Sequence, residues 1–424
     1  MSLMTLPTAQ IAHGQSGYLE AASRIGMQLC RDAMWHDGRC TWMGWAMTLA
    51  DGSATAAYRT ASASLYDGVA GIALFLGRLA VHAPSAPLLA TVDGAVRQVQ
   101  SRLADFDALS QRSFYTGSLG AAYMLCQLGR GLNRPEWTEQ GLELAERHAA
   151  LPFGDDALDV IAGSGSAIPG LIYMGKHFSR PVLTAAAVRH AEQLLAKGVV
   201  DARGLSWPSL LPKHNNLLGY AHGVSGMAMA LLEAYAVSGD DALLHGAQEA
   251  IRYERNCFDP AQQGWPDFRV DTITAGAATL APTCNCTWCS GSTGIGLTRL
   301  RMMELLPADS GAAEEINIAL QGASRLLMST TTPQDLCLCH GLCGTADFVL
   351  SAGVQLNRPD IAIFADQVGD FIIEHYLNAE QPLPCGVQQR GEAPGLMMGK
   401  AGIGYFFLRL IERQTLQSVL LLKG

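Results

Sequence analysis

Charge is what this sequence has least of. Charged residues make up 16% of the 424, against roughly 25% in an average soluble domain, while hydrophobic residues make up 49%. Helices built from such a chain must bury more than one side, which suits two concentric layers. Runs of Lys or Arg, and basic residues interleaved with aromatics, are absent, and the formal net charge is −9. Nucleic acid, which demands basic patches, is therefore excluded as a partner. Long apolar runs are missing too. The longest uncharged stretch, Thr272 to Thr298, is broken by Pro282 and Asn285, so no integral membrane span of about 20 apolar residues is expected. The opening MSLMTLPTAQIAHG lacks a basic n-region and a continuous apolar h-region, which predicts a cytoplasmic protein. Strand-type alternation is nearly absent. Cysteine is not: there are 11, and without an export signal these are expected as reduced thiols and metal ligands rather than a disulfide framework.

One short phrase recurs along the chain. It appears as DGVAGIALFL from Asp67, TGSLGAAYML from Thr116, HGVSGMAMAL from His222, SGSTGIGLTR from Ser290, HGLCGTADFV from His340 and GKAGIGYFFL from Gly399. A degenerate seventh copy lies at AGSGSAIPGL from Ala162, with Gly163 as first glycine and Ser166 in place of the second. First glycines at 68, 117, 163, 223, 291, 341 and 399 leave room for two helices per interval. Upstream of each phrase is a segment with charges on one stripe and aliphatics at i, i+3, i+4, beginning near Tyr18, Ala90, Glu136, Val182, Asp240, Ala312 and Asp360. These are expected as outer helices. The Gly-x-x-Gly phrases open helices that are apolar nearly all round, as an inner ring requires. The fold expected is all-α, an (α/α)7 barrel or toroid in one domain spanning 1–424, because a hairpin that cannot bury both faces alone is stabilised by neighbours on each side. Glycines three apart let the inner helix starts crowd together at one mouth.

Registering the repeats on the first glycine singles out the residues with chemistry. Immediately before it stand Asp67, Thr116, Ala162, His222, Ser290, His340 and Met398; one step further back stand Tyr66, Tyr115, Ile161, Ala221, Cys289, Cys339 and Met397. Cys289 and Cys339 occupy equivalent places in successive repeats, His340 adjoins the second, and His222 is its equivalent in the repeat preceding Cys289. Two thiolates and one imidazole are three good Zn2+ ligands that leave a tetrahedral position open, the arrangement of a catalytic zinc. Cys289, Cys339 and His340 are the predicted ligands. On this frame Cys337 and Cys343 are packing thiols. The rival is a closed four-sulfur site from Cys286, Cys289, Cys337 and Cys339, which would be structural, and a metal-free reduced cluster is a third reading. Asp159, four residues before Gly163, either orients an imidazole at the mouth or caps a helix. Asp67 is expected to cap an inner helix. Helix N-termini converging on one mouth favour anions such as thiolates and enolates there.

These phrases resemble the lanthionine synthetase cyclases, and most nearly the cyclase domain of class II lanthipeptide synthetases. The resemblance is carried by LYDGVAGIALFL (65–76), LDVIAG (158–163), AHGVSG (221–226), WCSGSTGIG (288–296), CHGLCG (339–344) and PGLMMGKAGIGY (394–405). It implies zinc on Cys289, Cys339 and His340, with His222 and Asp159 as catalytic residues. The implied reaction adds a peptide cysteine thiolate to dehydroalanine or dehydrobutyrine, forming lanthionine or methyllanthionine thioethers. The implied substrate is a dehydrated precursor peptide, supplied by a separate dehydratase. Ser290 departs from the His or Tyr that many relatives carry after the zinc cysteine. Competing readings are a cyclase-like zinc protein that binds glutathione or a leader peptide without turnover, and another zinc α/α-barrel enzyme such as a prenyltransferase subunit. The latter would need a basic diphosphate cradle that the sequence does not show. A carbohydrate-active barrel would need paired rim acids, for which Asp67 and Asp159 are a thin case.

Overall fold

The computed structural model describes residues 13–50, 53–106, 111, 113–152, 158–209, 215–270, 282–306, 309, 311–327, 335–387 and 391–423. Seven helices form an inner ring: α2 (Val69–His82), α4 (Ser118–Gly131), α6 (Ala167–His177), α8 (Val224–Ser238), α10 (Ser292–Leu305), α12 (Leu342–Gln355) and α14 (Lys400–Ile411). Seven more surround them: α1 (Gly14–Asp32), α3 (Ala86–Ser101), α5 (Pro135–Ala149), α7 (Pro181–Ala196), α9 (Asp241–Asn256), α11 (Ala312–Leu327) and α13 (Pro359–Ile372). Each inner helix packs on the next, and α14 returns to α2, so the ring closes as an (α/α)7 toroid. Composition sorts the layers. In α8 every residue from Val224 to Ala234 is buried, whereas α9 buries one stripe through Leu243, Gly246, Ala247, Ala250 and Ile251.

The pairing within hairpins differs from the order in which the sequence pattern groups them. Each inner helix packs most extensively on the outer helix that follows it, α2 on α3 through α12 on α13, and α1 is left to pair with α14. Turn chemistry explains the offset. Asn133, Ser179 and Asn357 adopt left-handed backbone with φ of 54°, 55° and 51°, and each is followed two residues later by a proline that opens α5, α7 or α13. A left-handed stop and a proline start join inner to outer helix by the shortest route. Across the closure, Lys400 on α14 donates to Asp32 at 3.0 Å, and the Tyr18 hydroxyl of α1 donates to Asp370 of α13 at 3.1 Å.

All seven inner repeats begin on one side of the toroid, where their approach segments are stitched edge to edge. Backbone N–H groups of Met397, Tyr66, Val160, Ala221, Cys289 and Cys339 donate to the carbonyls of Tyr66, Tyr115, Ala221, Cys289, Cys339 and Met397 at 2.7–3.3 Å. The Thr116 hydroxyl donates to the Ile161 carbonyl at 3.0 Å and closes the circuit through the degenerate repeat. Ser166 completes that repeat by accepting from the Phe114 N–H at 3.0 Å. The second glycines are needed for close approach on two fronts. A Cβ at Gly71, Gly120, Gly226, Gly294 or Gly402 would strike the carbonyl six residues upstream, and also the side chain of Leu396, Leu65, Val160, Tyr220 or Leu338 from the adjacent repeat.

Below the mouth the centre is filled. The buried C-terminal residues Val419 and Leu420 offer their carbonyls to the Tyr115 hydroxyl and the Trp288 indole N–H, each at 2.8 Å. A buried ion network ties α9, α10 and α11: Arg299, fully enclosed, donates to Glu254 at 2.9 Å and Glu315 at 2.8 Å. Among the described residues strands also occur, in three antiparallel pairs: β1 (Met34–His36) with β2 (Arg39–Thr41), β3 (Met43–Ala50) with β4 (Ser53–Thr60), and β5 (Val199–Val200) with β6 (Leu205–Ser206). The first pair turns through Asp37 and Gly38, with φ of 47° and 70°, the dipeptide that suits the twist of a two-residue hairpin.

Candidate active site

The frame of the repeat brings the predicted residues to one rim. Cys289 lies two residues before the Gly291 cap of α10, Cys339 and His340 immediately precede the Gly341 cap of α12, and His222 precedes the Gly223 cap of α8. One ligand atom each from Cys289, Cys339 and His340 lie within 4.8 Å of one another. The neighbouring N–H···O=C bonds from Ala221 to Cys289 and from Cys289 to Cys339, at 2.9 and 3.3 Å, hold the three repeats in step. Two sulfurs and an imidazole so placed could hold a metal ion. Hydrogen bonding with Cys339 holds the Cys289 thiol well below its ordinary value against the effect of burial, with help from His340 and Arg269. The same pairing, reinforced by burial, pushes Cys339 well up. Burial opposes a charge on His340, but Cys337, Asp335 and Cys289 outweigh it and raise the imidazole.

His222 and Asp159 are also brought together. Nδ1 of His222 lies 2.9 Å from Asp159 Oδ2, and the other carboxylate oxygen accepts from the Ala162 N–H at 2.6 Å. Asp159 therefore faces the imidazole and holds its own bend, but it caps no helix: the helical turn that follows is capped by Gly163 and α6 by Ser166. Burial disfavours the imidazolium of His222, but the Asp159 carboxylate and the Cys289 sulfur outweigh it, and its pKa is raised.

Other residues at the rim differ from expectation. Asp67 does not cap α2, whose N-cap is Gly68; it accepts from Ser62 at 3.3 Å, Ser64 at 3.0 Å and Arg59 at 3.2 Å, tying down the base of the β3–β4 hairpin. Cys337 is more than a packing thiol. Its sulfur accepts from the His340 N–H at 3.4 Å and groups with Asp335 and His340 in a second potential metal-holding set that shares the same imidazole. Cys286 joins neither set among the described residues, so the four-sulfur arrangement is not assembled. Cys343 is buried in α12, as expected of a packing thiol.

Sequence reasoning passed over four polar residues here. Tyr66 donates its hydroxyl to Cys339 Sγ at 3.0 Å; its position two before a first glycine, equivalent to Cys339, was the available signal. Asp335 lies 3.4 Å from His340 Nε2. Buried Asp267 holds Arg269 at 2.7 Å, accepts from Asn285 at 3.0 Å, and accepts from Ser290 at 3.3 Å. Ser290, which also accepts from Arg269, is therefore built into an ion-paired cluster on the approach to Cys289. No repeat frame marks 267 or 269.

The family described as lanthionine synthetase C-like protein matches residues 60–421. The chain belongs to that family. Its fold is similar to that of a solved nisin cyclase, with a TM-score of 0.62 and 18% identity over 84% of this chain and 89% of that one. The lacticin 481/lactococcin biosynthesis protein LcnDR2 of Lactococcus lactis subsp. lactis is 22% identical over 219 residues, 49% of this chain and 22% of that protein. The matched region thus spans less than a quarter of that curated relative. An unsaturated glucuronyl hydrolase from Streptococcus agalactiae also aligns, at 11% identity and a TM-score of 0.49.

Proposed function

We propose that this lanthionine synthetase C-like protein is a zinc-dependent cyclase that closes thioether rings in a dehydrated peptide. The observation that carries the reading is the juxtaposition, on one rim, of an open donor set with a carboxylate-supported histidine. Cys289, Cys339 and His340 would hold the zinc: two soft thiolates and an imidazole fit it, and three protein ligands leave room for a fourth from substrate. Zinc bound there supplies a Lewis acid that lowers the pKa of a thiol, so that a nucleophile exists near neutral pH.

The chain's own residues account for the protons. The reaction forms a bond between the substrate sulfur and the β-carbon of a dehydroamino acid, and the electron pair of the C=C bond moves toward the carbonyl as an enolate. The proton lost when the thiol ionises passes to solvent, and one proton must then reach the α-carbon, so that the sum is an isomerisation. His222, with Nδ1 engaged by Asp159 and its imidazolium favoured by that carboxylate, delivers that proton from Nε2. Asp159 fixes the ring and stabilises its charge. Arg269, held by Asp267, adds positive charge beside the rim where the enolate develops.

The substrate class follows from the same chemistry. A thiol adds to an alkene, not to an unmodified Ser or Thr side chain, so the peptide must already be dehydrated, which requires a separate dehydration step. No described helix is long and apolar enough to cross a membrane, and we place the reaction in the cytoplasm, where free thiols persist. The test is incubation of a dehydrated, cysteine-bearing precursor peptide with the protein. Free thiols should disappear at constant peptide mass, because the addition is an isomerisation. Peptide that is retained by the protein but keeps its thiols would instead favour a binding protein without turnover.

A further inference from the structure

Tyr66 is a rim residue that the reaction above does not use. Its backbone is committed to the mouth ring, donating to the Tyr115 carbonyl at 2.8 Å and accepting from the Met397 N–H at 2.7 Å. Its ring packs edge-to-face on Tyr115, with centroids 6.4 Å apart. Both roles would be served equally by phenylalanine. The hydroxyl faces sulfur: Cys339 Sγ lies at 3.0 Å and the Met398 thioether at 3.5 Å. A neutral thiol and a thioether are weak acceptors, whereas a thiolate takes a charge-assisted hydrogen bond of roughly twice the ordinary strength. A half-buried phenol aimed at sulfur is therefore best satisfied when that sulfur is a metal-held thiolate.

We infer that Tyr66 is a positioning residue of the metal centre, its phenol donating to the Cys339 sulfur so that this ligand is held as an oriented thiolate. The inference rests on the proposed zinc site. The consequence is electronic as well as geometric. A hydrogen bond drains electron density from the Cys339 sulfur, so the metal keeps more of its Lewis acidity for a third sulfur arriving with the peptide. The Thr287 hydroxyl, 3.6 Å from Cys289 Sγ, is the nearest counterpart on the other ligand.

Cobalt(II) loading makes the sulfur visible through its charge-transfer absorption. Tyr66→Phe should fold, bind cobalt, and show that band at lower energy than wild type, because the unbonded thiolate releases an electron more easily. Zinc affinity, measured by competition with a chromogenic chelator, should fall about 10–100-fold, the usual loss when a partner of a metal ligand is removed. Replacing Tyr66 by 2,6-difluorotyrosine, a stronger donor of nearly the same shape, should move the band to higher energy, and this arm stands if the Phe variant does not fold. Tyr66→Phe protein with an unshifted band and unchanged zinc affinity overturns the inference and leaves the metal site intact. Wild-type protein lacking any thiolate-to-cobalt band overturns both.

Discussion

At the residue scale, the catalytic hypothesis turns on His222 and its partner. Asp159 supports the imidazolium, so the protonated form persists to higher pH than in a free histidine. If His222 gives the proton to the enolate, the rate supported by it is full below its pKa and falls as the pH rises through that pKa, which lies above the ordinary value. His222→Asn should retain zinc and fold while slowing ring closure by about 10²–10⁴. Asp159→Asn should move the alkaline fall to lower pH, since the charge that raises the imidazole is gone. Rate profiles of the three proteins on one dehydrated peptide check this, and an Asp159→Asn profile that coincides with wild type contradicts it. His222, Cys289, Cys339 and His340 were legible because each stands at a fixed step from a repeated glycine. Arg269 and Asp267 were not, because they reach the rim from a segment between repeats whose spacing has no counterpart elsewhere in the chain.

At the scale of the element, the Gly-x-x-Gly starts decide how close seven helices can come. The sequence pattern suggested crowding between neighbours, and the structure adds a second contact, with each helix's own approach loop. Gly344 shows the latter plainly: a Cβ there would strike the carbonyl of Leu338, which is backbone and cannot swing away. Gly344→Ala is expected to lower unfolding stability by about 1–3 kcal/mol, the range for overpacking. Gly131, at the exposed end of α4, meets nothing nearer than Val81 Cγ2 at 3.4 Å. Gly131→Ala should be neutral or stabilising by up to about 1 kcal/mol, since it removes chain entropy from the unfolded state. Denaturant melts distinguish the two, and equal effects would reduce the glycines to a matter of composition. The helices themselves were legible from periodicity over many residues. The β1–β4 region was not, because strands of three to eight residues carry little periodicity, and its clearest mark was the Asp37-Gly38 turn.

At the scale of the molecule, a closed ring makes hairpin boundaries a matter of turns rather than of helix order. Seven outer and seven inner segments alternate either way; Asn133, Ser179 and Asn357, each followed two residues later by proline, and the left-handed Gly239 before the Asp240 cap, mark inner helix leading to outer, which leaves α1 to close on α14. Closure then gives the rim its precision, since each approach segment is bonded to the next and the thiols of two repeats are held face to face. The central claim is that this rim carries a three-ligand zinc site open to substrate. Its most direct test is zinc content per chain in wild type, Cys289→Ala, Cys339→Ala, His340→Ala and Cys286→Ala protein, with helical content followed alongside. The account predicts about one zinc in wild type and in Cys286→Ala, and its loss with helices largely retained in the other three. Zinc that survives Cys289→Ala, or that is lost in Cys286→Ala, would contradict it.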